Sequence, residues 1–209
     1  MPINPVPART FHAFGTALLA LLVAASSAVA APVGDDARTS VAAAPAIHID
    51  NFGQVDSHLY RGAQPHGTDF ADLKALGIRT IVNLTSDDAD PAEQALAEAA
   101  GLTYVAIPMN TRIVPTAAQM AQFLGLVNNP AGEPVYVHCV GGRHRTGVMT
   151  AVYRMTRYGW SGAQAFKEMK QFKFGADFLH PEFKEFVYGY RPDSLAEAAA
   201  IGASADAQH

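Results

Sequence analysis

Between positions 55 and 190 the chain alternates short β-branched runs with stretches in which apolar residues recur every three or four positions. The first pattern reads as buried strand and the second as amphipathic helix. Strands are predicted over 55–61, 78–84, 102–107 and 134–138, and helices over 69–76, 91–100, 117–127, 145–158, 161–173 and 179–188. Thr68 and Thr116 stand where N-caps belong, Pro91 at a helix start, and Gly62, Gly77 and Gly101 where elements stop. Strands separated by helices of this length imply an α/β domain with a mostly parallel central sheet, flanked by helices on both faces. Open sheets of this kind bind ligands at the carboxyl ends of their strands. The run ending at His138 delivers Cys139 to that edge.

The pattern lapses at both ends. Residues 1–30 place Arg9 and His12 ahead of an apolar run over 13–25, and Ala28-Val29-Ala30 follows. That is the layout of a secretory signal peptide, so the protein is expected to be exported, either periplasmic or secreted. The thirteen-residue run falls short of the ~20 needed to cross a bilayer, so no stable membrane span is expected. Residues 31–47 are Ala/Pro-rich and read as a linker, and 192–209 read as a flexible Ala-rich tail. The folded domain is therefore expected over 48–191.

Composition narrows the chemistry. With 49% hydrophobic residues in 209, the chain suits one globular domain with tails and excludes a disordered one. A single cysteine excludes a disulfide framework and a Cys-cluster metal site. Net charge is −4, so nucleic acid is not an expected partner. The charge is unevenly spread, at −6 over 48–137 and +5 over 138–191, which gathers a basic half around Cys139. Lys167, Lys170 and Lys173 share a helical stripe there, and a basic rim would concentrate a multiply charged anion.

The stretch His138-Cys139-Val140-Gly141-Gly142-Arg143-His144-Arg145-Thr146-Gly147 reads H-C-x-x-G-x-x-R-T-G. Between the buried strand and the next helix, two glycines allow a tight loop whose backbone N–H groups turn inward. Such a ring above a helix N-terminus is an anion cradle, and Arg145 at its lip can grip two phosphate oxygens through its planar fork. The same positive surroundings stabilise a thiolate on Cys139. Attack of that thiolate on phosphorus gives a phosphocysteine intermediate. Thr146 is placed to hydrogen-bond the sulfur as it leaves, and His138, on the buried strand, to orient the loop through backbone groups.

This stretch resembles the signature of cysteine-dependent protein tyrosine and dual-specificity phosphatases. Three further stretches, Asn51-Phe52-Gly53, Leu59-Tyr60-Arg61-Gly62-Ala63-Gln64-Pro65 and Leu76-Gly77-Ile78-Arg79-Thr80-Ile81-Val82-Asn83-Leu84, resemble the atypical dual-specificity phosphatases of plants, fungi and bacteria. The resemblance spans about 50–190. It implies Cys139 as nucleophile, Arg145 as phosphate clamp, and a substrate cradle formed by Val140, Gly141, Gly142, Arg143 and His144. It implies no metal and no organic cofactor.

One part of the family pattern is absent. Such phosphatases carry a general-acid Asp about thirty residues before the cysteine, and Asn110 stands there in this chain. Candidate replacements are His144, the turn residues Asp87, Asp88 and Asp90, and Asp177. The expected activity is phosphate monoester hydrolysis of the protein tyrosine or dual-specificity type, with a phosphorylated protein as partner. The alternatives are an inositol polyphosphate or pyrophosphate phosphatase, and a catalytically weak phosphate-binding pseudophosphatase. Tyr60, Tyr104 and Phe174 are candidates for an aromatic wall facing a phosphotyrosine ring.

Overall fold

The computed structural model describes residues 46–86, 88–128 and 132–193. The expected signal peptide, most of the linker and most of the tail lie outside them. The chain opens with a two-stranded antiparallel hairpin, β1 (Gly53–Gln54) and β2 (Leu59–Gly62). There follow α1 (Asp69–Ala75), β3 (Thr80–Asn83), α2 (Glu93–Ala99), β4 (Thr103–Ala106), α3 (Ala117–Val127) and β5 (Val135–His138). Three helices complete it: α4 (Arg145–Tyr158), α5 (Gly162–Gln171) and, after a 3-10 turn at Asp177–Leu179, α6 (Pro181–Gly189). Strand order is β1-β2-β5-β3-β4, and every pairing except β1 with β2 is parallel. This is the expected mostly parallel sheet, with an antiparallel edge added.

Side chains alternate across the sheet. Leu59, Val82, Val135 and Val137 pack into a core built with α3, α4, α5 and α6. Ile81 and Tyr136 face the other way, onto α1 and α2 through Phe70, Leu73 and Ala97. Helices therefore cover both faces. The central strand β5 is buried along its whole length, so the residue that follows it emerges at the sheet's carboxyl edge from a rigid base.

Three local expectations change. The predicted strand over 55–61 is half turn, because Asp56 Oδ1 accepts from the backbone N–H of His58 and of Leu59 (2.8 and 2.9 Å) and closes the hairpin. Thr68 makes no side-chain cap; Asp69 Oδ2 accepts from His66 N–H instead. The helix predicted over 91–100 begins at Glu93, because Asp90 Oδ1 takes the Ala92 N–H. Thr116 does cap α3, in a reciprocal capping box with Gln119.

Candidate active site

Cys139 follows β5 directly, and the loop from it ends where α4 begins at Arg145. Gly142 makes that path possible. It has φ +63°, and a Cβ there would stand 2.3 Å from the backbone carbon of Gly62, so only glycine fits.

The loop's carbonyls are held from outside. Gln64 N–H donates to Val140 O (3.1 Å), and both Asn51 Nδ2 and Arg61 Nη2 donate to Gly142 O (2.8 and 2.7 Å). Across a trans peptide the carbonyl and the following N–H point in opposite directions. Fixing those oxygens outward turns the N–H of Gly141 and of Arg143 toward the cavity that both residues line. That cavity holds about 220 Å³ and is bounded by Thr111, Cys139, Val140, Gly141, Arg143, His144 and Arg145. Cys139 is almost wholly buried at its wall.

Arg145 is also buried, and its donors can be counted. Nη1 donates to Asp88 Oδ1 (2.8 Å) and to Met109 O (3.2 Å), and Nη2 donates to Asp88 Oδ2 (2.6 Å). Of the five guanidinium N–H groups, these bonds leave Nε–H and one Nη2–H, a side-by-side edge suited to two oxygens of one phosphoryl group. Burial works against the Arg145 charge, but Asp88 and the Cys139 sulfur outweigh it and hold its pKa above the usual value. Asp88 is correspondingly held below the ordinary carboxylate range by its bond to Arg145.

That shift fixes the sign of an acid dependence. A depressed carboxylate stabilises the fold fully above its unfolded pKa of about 3.9, and the contribution is lost as pH falls through the lower folded value. Asp88 is partly exposed, so the contribution is discounted to about 1 kcal/mol. Asp88→Asn is expected to lose that amount in urea melts at neutral pH and to match the parent at pH values below the folded-state transition. An equal deficit at both pH values would show that the pair does not titrate as described.

His138 is fully buried, and its partner differs from the expected backbone groups. Nε2 lies 2.7 Å from Glu93 Oε1 on α2, a close contact without the alignment of a good hydrogen bond. Glu93 Oε2 accepts from Gln64 Nε2 (2.9 Å) and Asn83 Nδ2 (3.0 Å), so a buried polar group ties the base of the loop to β3 and α2. Thr146 is likewise buried, and its hydroxyl has no hydrogen-bond partner; the expected bond to the sulfur is not formed.

The acid candidates fare differently from one another. His144 lines the cavity, but its Nε2 is 2.9 Å from Phe174 O and its ring packs on His180 at 3.9 Å between centroids. A carbonyl only accepts, so Nε2 carries the hydrogen and is committed to it. Burial, opposed by that bond and reinforced by His180, lowers the His144 pKa from the usual 6.5. In this arrangement the His144 Nε2 proton is held by Phe174 O rather than offered to the cavity. Asp88 is ionised on Arg145, Asp90 Oδ1 accepts from the Ala92 N–H just ahead of α2, and Asp177 is shared by Lys170 and Lys184 (2.8 Å each). Asp87 lies outside the described residues. Asn110 Oδ1 accepts from Arg112 N–H in a local turn.

The basic rim is mostly spoken for. Asp50 pairs with both Lys173 and Arg143, and Asp177 with Lys170 and Lys184. Tyr60, Tyr104 and Phe174 do not line the cavity; Phe174 is buried behind His144, with ring centroids 5.2 Å apart. Apolar exposure on the cavity lining comes instead from Val140 (46%) on the loop.

Sequence reading did not assign roles to Asn51, Arg61, Gln64 or Glu93. The first three lie in stretches that marked the family resemblance, and that was the available signal.

Comparison with known proteins agrees with this architecture. Residues 45–182 match the family described as DSP-PTPase phosphatase fused to NAD+ kinase. The chain is 30% identical over 152 residues to the dual specificity protein phosphatase TpbA of Pseudomonas aeruginosa strain UCBPP-PA14, covering 73% of this chain and 68% of that one. It is 26% identical over 130 residues to the inositol diphosphatase SIW14 of Saccharomyces cerevisiae, covering 60% of this chain and 46% of that protein. A crystal structure of a P. aeruginosa TpbA variant in complex with pTyr superposes with a TM-score of 0.61 at 27% identity, covering 77% of this chain and 99% of the other.

Proposed function

The chain belongs to the dual-specificity and tyrosine phosphatases and is a cysteine-dependent phosphatase, and from that membership we propose that it hydrolyses aryl phosphate monoesters, foremost phosphotyrosine in proteins, through a phosphocysteine on Cys139. The observation that carries this reading is the cavity that brings Cys139 together with the loop residues Val140, Gly141 and Arg143 and with the guanidinium of Arg145.

The steps follow from that arrangement. Phosphoryl oxygens take the N–H groups of Gly141 and Arg143 and the Nε/Nη2 edge of Arg145, which neutralises charge as it builds on them. The Cys139 thiolate attacks phosphorus in line; the S–P bond forms as the bond to the leaving oxygen breaks, and the departing oxyanion takes its proton from water. Water then attacks phosphorus, the S–P bond breaks, and inorganic phosphate leaves with the thiolate restored. Thr146, whose buried hydroxyl is unpartnered, turns to the sulfur at that stage.

Weak acid assistance selects the substrate. No candidate among the described residues is poised to protonate a leaving group, and general acid catalysis is worth about 10²–10⁴ in rate. A phenol, with a pKa near 10 like tyrosine, leaves unaided far more readily than an aliphatic alcohol. Exposed Val140 on the cavity lining suits an aromatic ring. A phosphoanhydride leaves more easily still, and the name of SIW14 supports inositol pyrophosphate as a second reading. The pairing of Arg143, Lys170, Lys173 and Lys184 with Asp50 and Asp177 favours the first.

Initial rates across substituted phenyl phosphates test this. The log of kcat/KM, which reports the steps through cleavage of the bond to the leaving oxygen, is expected to fall steeply as leaving-group pKa rises, with phosphotyrosine peptide well ahead of phosphoserine peptide. A flat dependence would reveal an effective general acid, and a much higher rate on inositol pyrophosphate would install the second reading.

We further propose, from the layout of residues 1–30, that the domain acts outside the cytosol. Among the described residues no helix is long and apolar enough to cross a membrane.

A further inference from the structure

Arg61, on β2, shares the sheet face of Leu59 and is completely buried beneath the phosphate loop. Nη2 reaches Gly142 O at 2.7 Å, and the guanidinium lies 4.0 Å from the centre of the Phe172 ring. Nε and Nη1 have no hydrogen-bond partner. The carboxylate whose field Arg61 feels most is Glu168, but that side chain is already taken by Arg154 Nη2 and Nε (2.7 and 3.1 Å). The next negative group Arg61 feels is the Cys139 sulfur.

A buried guanidinium normally comes with carboxylates and filled hydrogen bonds, because desolvating an unpaired charge costs several kcal/mol. Here one carbonyl and one aromatic face are all that the protein supplies directly. Burial accordingly lowers the Arg61 pKa to about 10. Its mechanical duty is shared, since Asn51 Nδ2 holds the same Gly142 oxygen at 2.8 Å. What Asn51 lacks is charge.

We propose that Arg61 is a positioning residue whose buried charge the fold leaves under-paired and the bound oxyanion balances. Resting on the function proposed above, this adds a second guanidinium to the site: Arg145 grips the anion at the lip, and Arg61 acts from behind through Gly142 and through space. Binding an anion then relieves a strain that the empty protein carries, and the preorganised field serves the transition state in turn.

Two variants separate this from a structural role. Arg61 has no carboxylate of its own to strand, so an apolar residue of similar length removes a desolvation cost, and Gly142 O keeps Asn51. Arg61→Met, without ligand, is therefore expected to melt at or above the parent's temperature. Its affinity for orthovanadate, read from ligand-induced thermal shifts, should fall at least about tenfold, and kcat on an aryl phosphate should fall further, by about 10². Arg61→Lys keeps the charge without the fork and should retain vanadate affinity within a few-fold. If Arg61→Met fails to fold or melts lower, Arg61 is a net stabiliser and the proposal is overturned. Undiminished vanadate affinity in Arg61→Met, or equal loss in Arg61→Lys, overturns it too. The parent is the control: if vanadate does not stabilise the parent itself, it is the reading of the whole site that fails.

Discussion

Cys139→Ser is expected to abolish turnover, lowering kcat by about 10⁴–10⁶, the range for removing an activated nucleophile from an otherwise complete site. A serine hydroxyl is a far weaker acid and nucleophile than a thiol, and it needs a base in reach. The imidazole that lines the cavity, His144, has its Nε2 committed to Phe174 O, so it is badly placed to serve as that base. Binding should survive the change. The inward amides are set by Gln64, Asn51 and Arg61 acting on loop carbonyls, and none of those bonds involves the sulfur. Calorimetry should find that the variant still binds a phosphotyrosine peptide and does not bind its unphosphorylated counterpart. Turnover within tenfold of the parent would remove Cys139 from the chemistry.

Arg145→Lys is the second large effect, with kcat/KM expected to fall by about 10³. A lysine keeps the positive charge but has no planar fork. It loses the paired bonds to Asp88, the bond to Met109 O and the Nε/Nη2 edge together. Asp88 is then a carboxylate beside an anion site with its partner weakened, and it repels the substrate. That gives the test a second arm. Asp88→Asn added to Arg145→Lys should recover part of the lost kcat/KM by lowering KM, a non-additivity typical of groups that act as a unit. Strict additivity would mean that Asp88 and Arg145 are not coupled in the working enzyme.

The strand, loop and helix that carry Cys139 and Arg145 were legible because each local signal pointed the same way. A buried β-branched run, two glycines and a helix start come within a few positions of one another, and Gly142 sits where no side chain could fit. Support for the loop was not legible for the opposite reason. Asp88 meets Arg145 across 57 positions, and Arg61 meets Gly142 across 81. Periodicity says which face of an element is buried, and it does not say which distant polar group will be there to receive a buried one. Glu93 illustrates this. It opens an Ala-rich helix and reads as a solvated first-turn acid, yet it is buried against His138 once α2 packs on the sheet. The hairpin departs from its sequence pattern for a local reason: Asp56 bends a run whose β-branched and aromatic residues otherwise argue for a continuous strand. The missing acid was visible as Asn110. That the His144 ring is engaged by Phe174 O and His180 was not legible until those neighbours were seen.

Rapid acid quench of the enzyme during turnover of an aryl phosphate, followed by mass spectrometry of the peptide containing Cys139, tests the core of this account. One phosphoryl group on the Cys139 sulfur, appearing together with a burst of phenol ahead of inorganic phosphate, is the predicted result. An unmodified Cys139 peptide, with phenol and phosphate released in step from the first turnover, would contradict it.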